Sequence, residues 1–427
     1  MKEDFLHYLW RFQKFESQQL FTVQGELIQV ISPGIPTSGS GPDFSNAKIW
    51  IGETLWAGNV ELHLDASSWY HHTHHLDGAY DSVILHVVWN NDVEVCYPSG
   101  SMMPSLELSK IIPENLIKLY QKQFDQSPNW IPCERLFNNY PKVKWKNWIE
   151  RLYIERLEEK VNLIFNLLEA NKNDWEATLF QLLAKNFGLN VNGNAFLKWA
   201  QQISFSIIRK NAHDPIALEA LFFGLSGLLK KEIEEPYYKT LKSNYLFLET
   251  KYKIPRNIAT NVSFGRLRPP NFPTIRLSQL AQFYSHSPQV FSKLINTQEI
   301  KDLNWVLDIG VSDFWKTHFG FEKKGKSSSK KISKEFLDLI LINSLIPIRF
   351  AHAKHHGLDV DNLLIQWMEK IPLEKNKYTD GFTRLGGKYN SALESQSLLH
   401  LKQYYCDKKR CLKCALGYHF FKEKPVI

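Results

Sequence analysis

The chain has 427 residues, of which 44% are hydrophobic and 22% are charged, and these values are typical of a globular protein rather than a disordered or fibrous one. The length predicts two or three domains. The first residues lack the apolar core and cleavage site of a signal peptide, no run of about 18 apolar residues is present, and five cysteines are too few for a disulfide framework. These features predict a cytoplasmic protein that does not span a membrane.

The net charge of +8 is divided unevenly along the chain. Residues 1–110 contain five basic and thirteen acidic residues, so the excess of positive charge lies in the rest of the chain. An acidic module followed by a basic body is typical of a protein that binds a polyanion and keeps carboxylates for metal ions. Lysine-rich helical surfaces explain the same asymmetry equally well.

The first 110 residues predict a mixed α/β module. Hydrophobic residues at helical spacing predict a helix over 4–17, and the following patterns predict four strands. A helix or helical turn over 66–80 is expected between the last two strands. The predicted strands cover 21–31, 47–51, 59–64 and 82–89.

From residue 113 onward the hydrophobic pattern is helical, and the first long amphipathic segment covers 145–170. The fold class is therefore predicted to be α+β, with a mixed α/β module followed by a mainly helical region and a terminal cysteine cluster. The predicted domains are the α/β module over 1–125, a helical domain over 126–400 and a cysteine-rich tail over 401–427.

Two acidic residues are candidates for a metal site in the α/β module. Asp43 follows a Gly-Pro turn, and Glu61 lies two residues before His63 in a predicted strand, so Glu61 and His63 share one face. If the two segments pair as neighbours, Asp43 and Glu61 meet at one point. Converging carboxylates suit Mg²⁺ or Mn²⁺, which polarise a phosphodiester oxygen and activate water.

The order helix, strand, Pro-Asp, strand, Glu-x-(Lys), helix, strand resembles the core of the PD-(D/E)XK nuclease superfamily. The resemblance implies a Mg²⁺- or Mn²⁺-dependent nuclease of DNA or RNA, with Asp43 and Glu61 as metal ligands and Glu26 as an additional catalytic acid. His63 stands where that superfamily usually has a lysine. A neutral histidine can act as a base or join the metal shell, but it is not a fixed positive charge.

The chain also resembles a bacterial family of proteins of unknown function, domain-of-unknown-function family 2851, from end to end. This resemblance implies no established activity. The matching stretches are GPDF at 41–44, GNVELH at 58–63, HHTHH at 71–75, YDSVILHVV at 80–88, RLRPPNFPTIRLSQLA at 266–281 and YCDKKRCLKCALG at 405–417.

A third of the histidines lie between residues 71 and 86. On a helix, His71 and His75 would share one face at i and i+4 and could bind a transition metal. One histidine of this group could instead donate a proton near the carboxylates, or the group could simply cover the surface. His86 alternates within an apolar strand, which predicts a core position.

Three cysteines near the C-terminus, Cys406, Cys411 and Cys414, have the close spacing that Zn²⁺ and Fe–S sites use. The fourth ligand is either His419 or Cys133. Some PD-(D/E)XK nucleases hold an Fe–S cluster with one upstream cysteine and three near the C-terminus, so the resemblance favours Cys133. Three structural thiols are the alternative.

Basic residues flank a Pro-rich segment and surround the cysteines, and they predict a groove for nucleic-acid phosphates. Salt bridges would explain the arginines equally well. No nucleotide-binding loop is present, so no nucleotide cofactor is expected. Two alternative functions stay open: a non-catalytic nucleic-acid-binding or scaffold protein with a degenerate nuclease core, and a hydrolase of another phosphoester with a His-rich metal site. The basic residues are Arg266, Arg268, Arg276, Lys408, Lys409 and Arg410.

Overall fold

The computed structural model describes residues 2–15, 19–37, 41–121, 129–255 and 262–422. The chain divides into two compact units. The domain boundary predicted at residue 125 lies outside the described residues, and the described part of the predicted tail belongs to the same unit as the N-terminal module. Unit 1 consists of Met1–Trp148, Asp380–Gly387 and Leu399–Ile427, and unit 2 of Ile149–Thr379 and Lys388–Leu398.

Unit 1 is built on one mixed β-sheet, which has seven strands within the described residues. The strands are β1 (Leu20–Phe21), β2 (Leu27–Ser32), β3 (Ile35–Pro36), β4 (Phe44–Ile51), β5 (Thr54–Asp65), β6 (Val83–Asn90) and β7 (Ser105–Glu107). Their order is β1-β2-β4-β5-β6-β7, with β3 paired to β4. The pairs from β1 to β5 are antiparallel, whereas β5, β6 and β7 run parallel.

A crossover joins the parallel strands β5 and β6, because parallel neighbours cannot be joined by a tight hairpin. It begins with the short helix α2 (Ser68–His71) and continues as two 3₁₀ turns, His74–Leu76 and Gly78–Tyr80. The Asp77 carboxylate accepts a hydrogen bond from the Ala79 N–H and caps the second turn. The helix or helical turn predicted over 66–80 is therefore a succession of short turns.

One face of the sheet is covered by helix α1 (Glu3–Arg11), which ends earlier than the predicted helix over 4–17. The helix buries Phe5, Leu9 and Trp10, and alternate residues of β4 point into the same core. The C-terminal segment contributes Cys411 and Phe421 to this core. The two ends of the chain therefore fold together in unit 1.

The remaining structure is mainly helical, as the sequence pattern predicts. The Asp214 carboxylate caps one helix that begins at Pro215. The helices are α3 (Glu114–Tyr120), α4 (Lys142–Ala170), α5 (Trp175–Phe187), α6 (Leu189–Ala200), α7 (Phe205–Asn211), α8 (Pro215–Leu225), α9 (Pro236–Tyr252), α10 (Pro273–His286), α11 (Val290–Asn296), α12 (Asp313–Thr317), α13 (Lys334–Ile340), α14 (Ile346–His355), α15 (Asp361–Lys370), α16 (Lys377–Arg384), α17 (Ala392–His400) and α18 (Ala415–Lys422).

A π-helical turn, Leu341–Leu345, joins α13 and α14 into a continuous helix. By length and composition alone, the stretch Lys334–His355 could cross a membrane. Its apolar window is 78% buried inside the protein, and a core helix of this kind passes the same test.

Candidate metal centre

Asp43 and Glu61 meet where β4 begins, as the predicted strand pairing requires. Phe44 and Val60 are direct partners in the antiparallel pair, so the residues beside them are brought together. The Asp43 N–H donates a hydrogen bond to Glu61 Oε2 at 3.0 Å, and the Leu62 N–H donates to Asp43 Oδ2 at 3.0 Å. Backbone donors therefore fix both carboxylates side by side.

His63 lies on the same face of β5 as Glu61, with its Nε2 atom 3.6 Å from Glu61 Oε1. Its Nδ1 atom is 2.8 Å from Nε2 of His86, a fully buried residue of β6. The core position predicted for His86 is confirmed. The His86 ring holds Nδ1 of His63, so Nε2 of His63 is directed at the Glu61 carboxylate.

The crossover supplies two further imidazoles. Nδ1 of His72 lies 3.2 Å from Nε2 of His63, and Nε2 of His74 lies 3.4 Å from Oε1 of Glu61. The ligand atoms of His63, His72 and His74 all lie within 4.8 Å of one another. We call these three histidines, with Asp43 and Glu61, the histidine–carboxylate centre.

The ring of His74 is packed against aromatic residues, but one of its nitrogen atoms makes no hydrogen bond to the described residues. Its ring stacks on Tyr80, with centroids 3.8 Å apart, and contacts the edge of Trp69. Its Nε2 atom is buried and has no hydrogen-bond partner among the described residues. Buried polar atoms normally have a hydrogen-bond partner. A buried nitrogen that faces a carboxylate and has no such partner suits a cation-binding site better than an apolar core.

His7 of α1 lies at the more open side of the centre. Its Nε2 atom is 3.5 Å from Asp43 Oδ2, and the two side chains are 21% and 27% exposed. Glu61 and His63 are far less exposed, at 7% and 2%. Solvent or a substrate therefore has access to the centre from the side of His7 and Asp43.

In the metal-free protein, the electrostatics of the centre keep Glu61 protonated and His63 neutral near neutral pH. Burial, and then the charge of Asp43, raises the pKa of Glu61 to about 8. Burial and the neighbouring imidazoles lower the pKa of His63 to about 2, and burial and His74 lower the pKa of His86 to about 3. His63 is consequently neutral, with a lone pair available to a metal, and a cation would remove the cost of ionising Glu61.

The donor set indicates which metal fits. Imidazole nitrogens suit Zn²⁺ and other transition ions, whereas Mg²⁺ prefers oxygen ligands and waters. A ligating histidine generally has its second nitrogen held by a hydrogen bond, as His86 holds that of His63. Three converging imidazoles, two of them beside Glu61, therefore fit Zn²⁺ or Mn²⁺ better than Mg²⁺.

Three other residues predicted for this site lie elsewhere. Glu26 is exposed in the turn before β2, beside Gly52 at the far end of β4 from Asp43. His71 is exposed and ends α2, and Thr73 follows with a left-handed φ of 58°. His71 and His75 therefore do not share a helix face, which corrects that expectation, and the ring of His75 contacts Tyr70 instead.

Sequence reasoning missed His7 and did not distinguish His72 and His74 from their neighbours. His7 is the half-buried polar residue within the apolar run of α1, and that interruption is the signal that could have identified it. Nothing in the HHTHH pattern shows which imidazoles turn inward, because the left-handed Thr73 decides this.

The family model described as protein of unknown function (DUF2851) matches residues 3–377. The chain belongs to the DUF2851 family. The match includes the whole histidine–carboxylate centre and Cys133, but it ends before Cys406, so the resemblance is shown for 3–377 rather than for the entire chain. No curated protein and no solved structure matches this DUF2851 chain.

The basic residues predicted to form one groove belong to different units of the DUF2851 chain. Lys408, Lys409 and Arg410 are in unit 1. In unit 2, Arg266 and Arg268 are exposed. Arg276 is buried: its guanidinium donates to Gln279 and Asn271 and lies 3.4 Å from the centroid of the Phe336 ring. Arg276 is therefore a structural residue that does not face a ligand in solvent.

Proposed function

We propose that this DUF2851 protein is a metal-dependent hydrolase of phosphodiester bonds in DNA or RNA. The observation that carries the proposal is the convergence of the His63, His72 and His74 nitrogens within 4.8 Å of one another. Glu61 lies beside two of them. A buried imidazole–carboxylate set with an unpartnered nitrogen is expected to bind a divalent cation, and hydrolysis is the chemistry that such an ion promotes.

The residues of the centre divide into those that hold the ion and those that face the reactants. His63, His74 and Glu61 are buried or half-buried and would hold the ion together with the more exposed His72. When bound, a divalent ion polarises a phosphodiester oxygen and lowers the pKa of water. Asp43 is fixed by the Leu62 N–H and partly exposed, so its carboxylate can accept a proton from the attacking water.

The order of elements in unit 1 supports a nucleic acid as the substrate. Helix α1, antiparallel strands, a crossover and a parallel strand follow one another in unit 1. This is the order expected from the resemblance to the PD-(D/E)XK core, in which Asp43 and Glu61 would take the acidic positions. The excess positive charge beyond residue 110 is compatible with a polyanionic substrate.

One observation favours a second candidate, a hydrolase of another phosphoester. His63 occupies the position of the usual lysine, and burial with the neighbouring imidazoles keeps its pKa at about 2, so it carries no positive charge near neutral pH. The centre thus has more imidazole ligands and less fixed positive charge than the nuclease pattern implies. Small phosphoesters therefore belong in the test beside nucleic acids.

The test incubates the full chain with labelled single- and double-stranded DNA and RNA and with a chromogenic phosphodiester, each in Mn²⁺, Zn²⁺ or Mg²⁺. We expect cleavage of nucleic acid with Mn²⁺ or Zn²⁺, loss of cleavage in Glu61→Gln and His74→Ala, and unchanged cleavage in the matched control His71→Ala. Cleavage that persists in Glu61→Gln would contradict the proposal. Salt-dependent binding without turnover would instead favour a non-catalytic nucleic-acid-binding protein.

A further inference from the structure

Unit 2 contains a cavity that has no part in the histidine–carboxylate centre. Its volume is about 160 Å³, and a cavity of about 150 Å³ holds a benzene molecule. The cavity therefore accommodates a ligand of roughly six non-hydrogen atoms. Its walls come from α4, α5, the π-helical turn and the start of α14. The lining residues are Lys160, Leu163, Ile164, Leu182, Lys185, Asn186, Asn343 and Pro347.

The π-helical turn in this wall leaves one backbone carbonyl without a donor from its own helix. The Ile346 N–H donates to the carbonyl of Leu341, five residues earlier. The next donor along the helix would serve the Ile342 carbonyl, but that residue is Pro347, which has no N–H. The Ile342 carbonyl is therefore available to a side chain from another helix.

Lys160 of α4 uses this carbonyl. Its Nζ atom donates to the Ile342 oxygen at 3.1 Å and to Asn343 Oδ1 at 3.0 Å. The Asn343 side chain is itself held, because its Nδ2 atom donates to the Leu339 carbonyl at 3.1 Å. A lysine ammonium that loses one of its three protons keeps two N–H bonds and gains a lone pair. The two acceptors occupy both N–H bonds of the neutral amine and leave its lone pair unused.

The surroundings of Lys160 favour this neutral form. Burial, and then the positive charge of Arg156, lowers the pKa of Lys160 to about 7, and the opposing effect of Glu374 is smaller. The Gln396 side chain lies between these two charges, since it accepts a hydrogen bond from Arg156 and donates one to Glu374. About half of the Lys160 side chains are consequently neutral at pH 7, and a desolvated neutral lysine is a nucleophile.

The rest of the lining suits a small ligand that carries a negative charge. Four of the lining residues are apolar, and none of the lining residues that the structure describes is acidic. Lys185 of α5 is half-buried, and its ammonium makes no ion pair or hydrogen bond with the described residues. Lys185 is therefore available to pair with an anionic group inside the cavity.

We propose that Lys160 captures a small oxo acid as a reversible imine in this cavity. The ligand is an aldehyde or ketone that also carries a carboxylate, and Lys185 pairs with that carboxylate. The lone pair of the Lys160 nitrogen attacks the carbonyl carbon and forms a C–N bond, while a proton passes from the nitrogen to the carbonyl oxygen. A second proton leaves the nitrogen as the C–O bond breaks, and water is released. The step consumes no oxidant or reductant.

The hydrogen bonds of Lys160 also suit the product. The protonated imine keeps one N–H, and the Ile342 carbonyl and Asn343 Oδ1 are both acceptors for it. All of the residues in this proposal belong to unit 2. The proposal therefore does not depend on the hydrolase activity proposed for unit 1.

The first experiment treats the wild-type chain with glyoxylate, a small oxo acid, and with sodium cyanoborohydride, which reduces an imine to a stable secondary amine. Peptide mass spectrometry measures the modification of each lysine with time at pH 7. We expect Lys160 to react at least about tenfold faster than the exposed Lys172 and Lys198, because an ordinary lysine is almost fully charged at this pH. Equal rates at the three lysines, or no reaction at Lys160, would overturn the proposal.

The second experiment tests whether the cavity recognises the carboxylate. Lys185→Met is compared with the wild type in the capture of glyoxylate and of acetaldehyde, which has no carboxylate. We expect the rate at Lys160 to fall about fivefold with glyoxylate and to stay within about twofold with acetaldehyde. Lys198→Met removes an exposed lysine and is the matched control, for which both rates should be unchanged. Equal losses with both compounds, or no loss with glyoxylate, would overturn the role of Lys185. Far-ultraviolet circular dichroism shows that each variant is folded.

Discussion

The two units each contain a buried carboxylate, and their surroundings differ. Glu219 of unit 2 is fully buried and accepts hydrogen bonds from the side chains of Tyr237, Ser278, Ser312 and Trp315. Glu61 of unit 1 is 5% exposed. It accepts one backbone hydrogen bond and otherwise faces the imidazole nitrogens of His63 and His74. Burial raises the pKa of both carboxyl groups.

The comparison shows how to distinguish a structural carboxylate from a metal ligand. Four donors satisfy the oxygens of Glu219, so the interactions of this group are complete within the protein. Each neutral imidazole beside Glu61 has one nitrogen with a proton and one with a lone pair. Asp43 adds further negative charge. Under the proposed function, a divalent cation would supply the positive charge that this set lacks.

The largest expected effect is on the stability of unit 2. Glu219→Ala leaves the Trp315 N–H and the Ser278 hydroxyl without an acceptor, whereas the Tyr237 and Ser312 hydroxyls still bond to each other. Each unpaired buried group costs about 1–3 kcal/mol, so the free energy of unfolding should fall by roughly 4 kcal/mol. Urea unfolding followed by circular dichroism measures the loss. Glu61→Gln of the metal-free protein is the matched variant, and a loss of unfolding free energy above about 1 kcal/mol there would blur the distinction between the two carboxylates.

The next largest effect concerns metal affinity. His74→Ala removes one of three imidazole ligands, and we expect Zn²⁺ or Mn²⁺ to bind at least about 100-fold more weakly, which corresponds to about 2.7 kcal/mol. Isothermal titration calorimetry measures both affinities. His71→Ala removes an exposed imidazole four residues from His75 and should leave the affinity unchanged. If both variants bound the metal equally weakly, His74 would not be a specific ligand of the ion.

Because the pKa of Glu61 is raised, the free energy of unfolding should change with pH, by about 2 kcal/mol. In the metal-free folded protein this carboxyl keeps its proton up to a pH of about 8, whereas in the unfolded chain it has lost that proton above pH 4.5. Stability due to Glu61 therefore falls as the pH rises from about 6.5 to about 8. Below this window the effect of the buried histidines is opposite, because unfolded imidazoles bind protons that His63 and His86 do not bind.

The comparison with Glu61→Gln isolates this contribution. Burial lowers the pKa of Lys160 in unit 2 to about 7, and this group makes stability rise with pH in part of the same window. Its contribution is the same in the wild-type protein and in the variant, so the difference between their unfolding free energies reports Glu61. A difference that stays constant between pH 6.5 and 8 would mean that Glu61 is ionised in the folded protein.

The parts of this centre that sequence reasoning found are those fixed by local pattern. The antiparallel pairing of β4 with β5 brings Asp43 to Glu61, and the two-residue spacing in β5 puts His63 on the same face as Glu61. His72 and His74 depend on a left-handed residue and on packing against Tyr80, neither of which has a periodic signal. His7 reaches the site from α1, through contacts distant in sequence.

Tertiary contacts, which have no periodic signal in the sequence, also decide where the arginines and cysteines lie. Arg276 and Arg268 look alike in the sequence, but the register of α10 turns Arg276 onto Phe336 and into the core of unit 2. Cys133 was one of two predicted partners for the C-terminal cysteines. The ring of His419 contacts Tyr140, and no spacing rule contains such a contact between segments distant in sequence.

The smallest expected effect belongs to Glu26, the additional acid that the nuclease resemblance implied. Glu26 and Asp43 lie toward opposite ends of β4, whose length from Phe44 to Ile51 is roughly 23 Å. A carboxylate at that distance in solvent neither ligates the ion nor changes the pKa of Glu61 measurably, because exposed charges are screened within about 8–10 Å. We therefore expect Glu26→Gln to leave metal affinity and hydrolysis within about twofold of the wild type, a factor worth about 0.4 kcal/mol. A tenfold loss of metal affinity or of hydrolysis would mean that the metal centre extends along the sheet. The ligand set at Glu61 would then not be compact, and its contrast with the fully hydrogen-bonded carboxylate of Glu219 would be too simple.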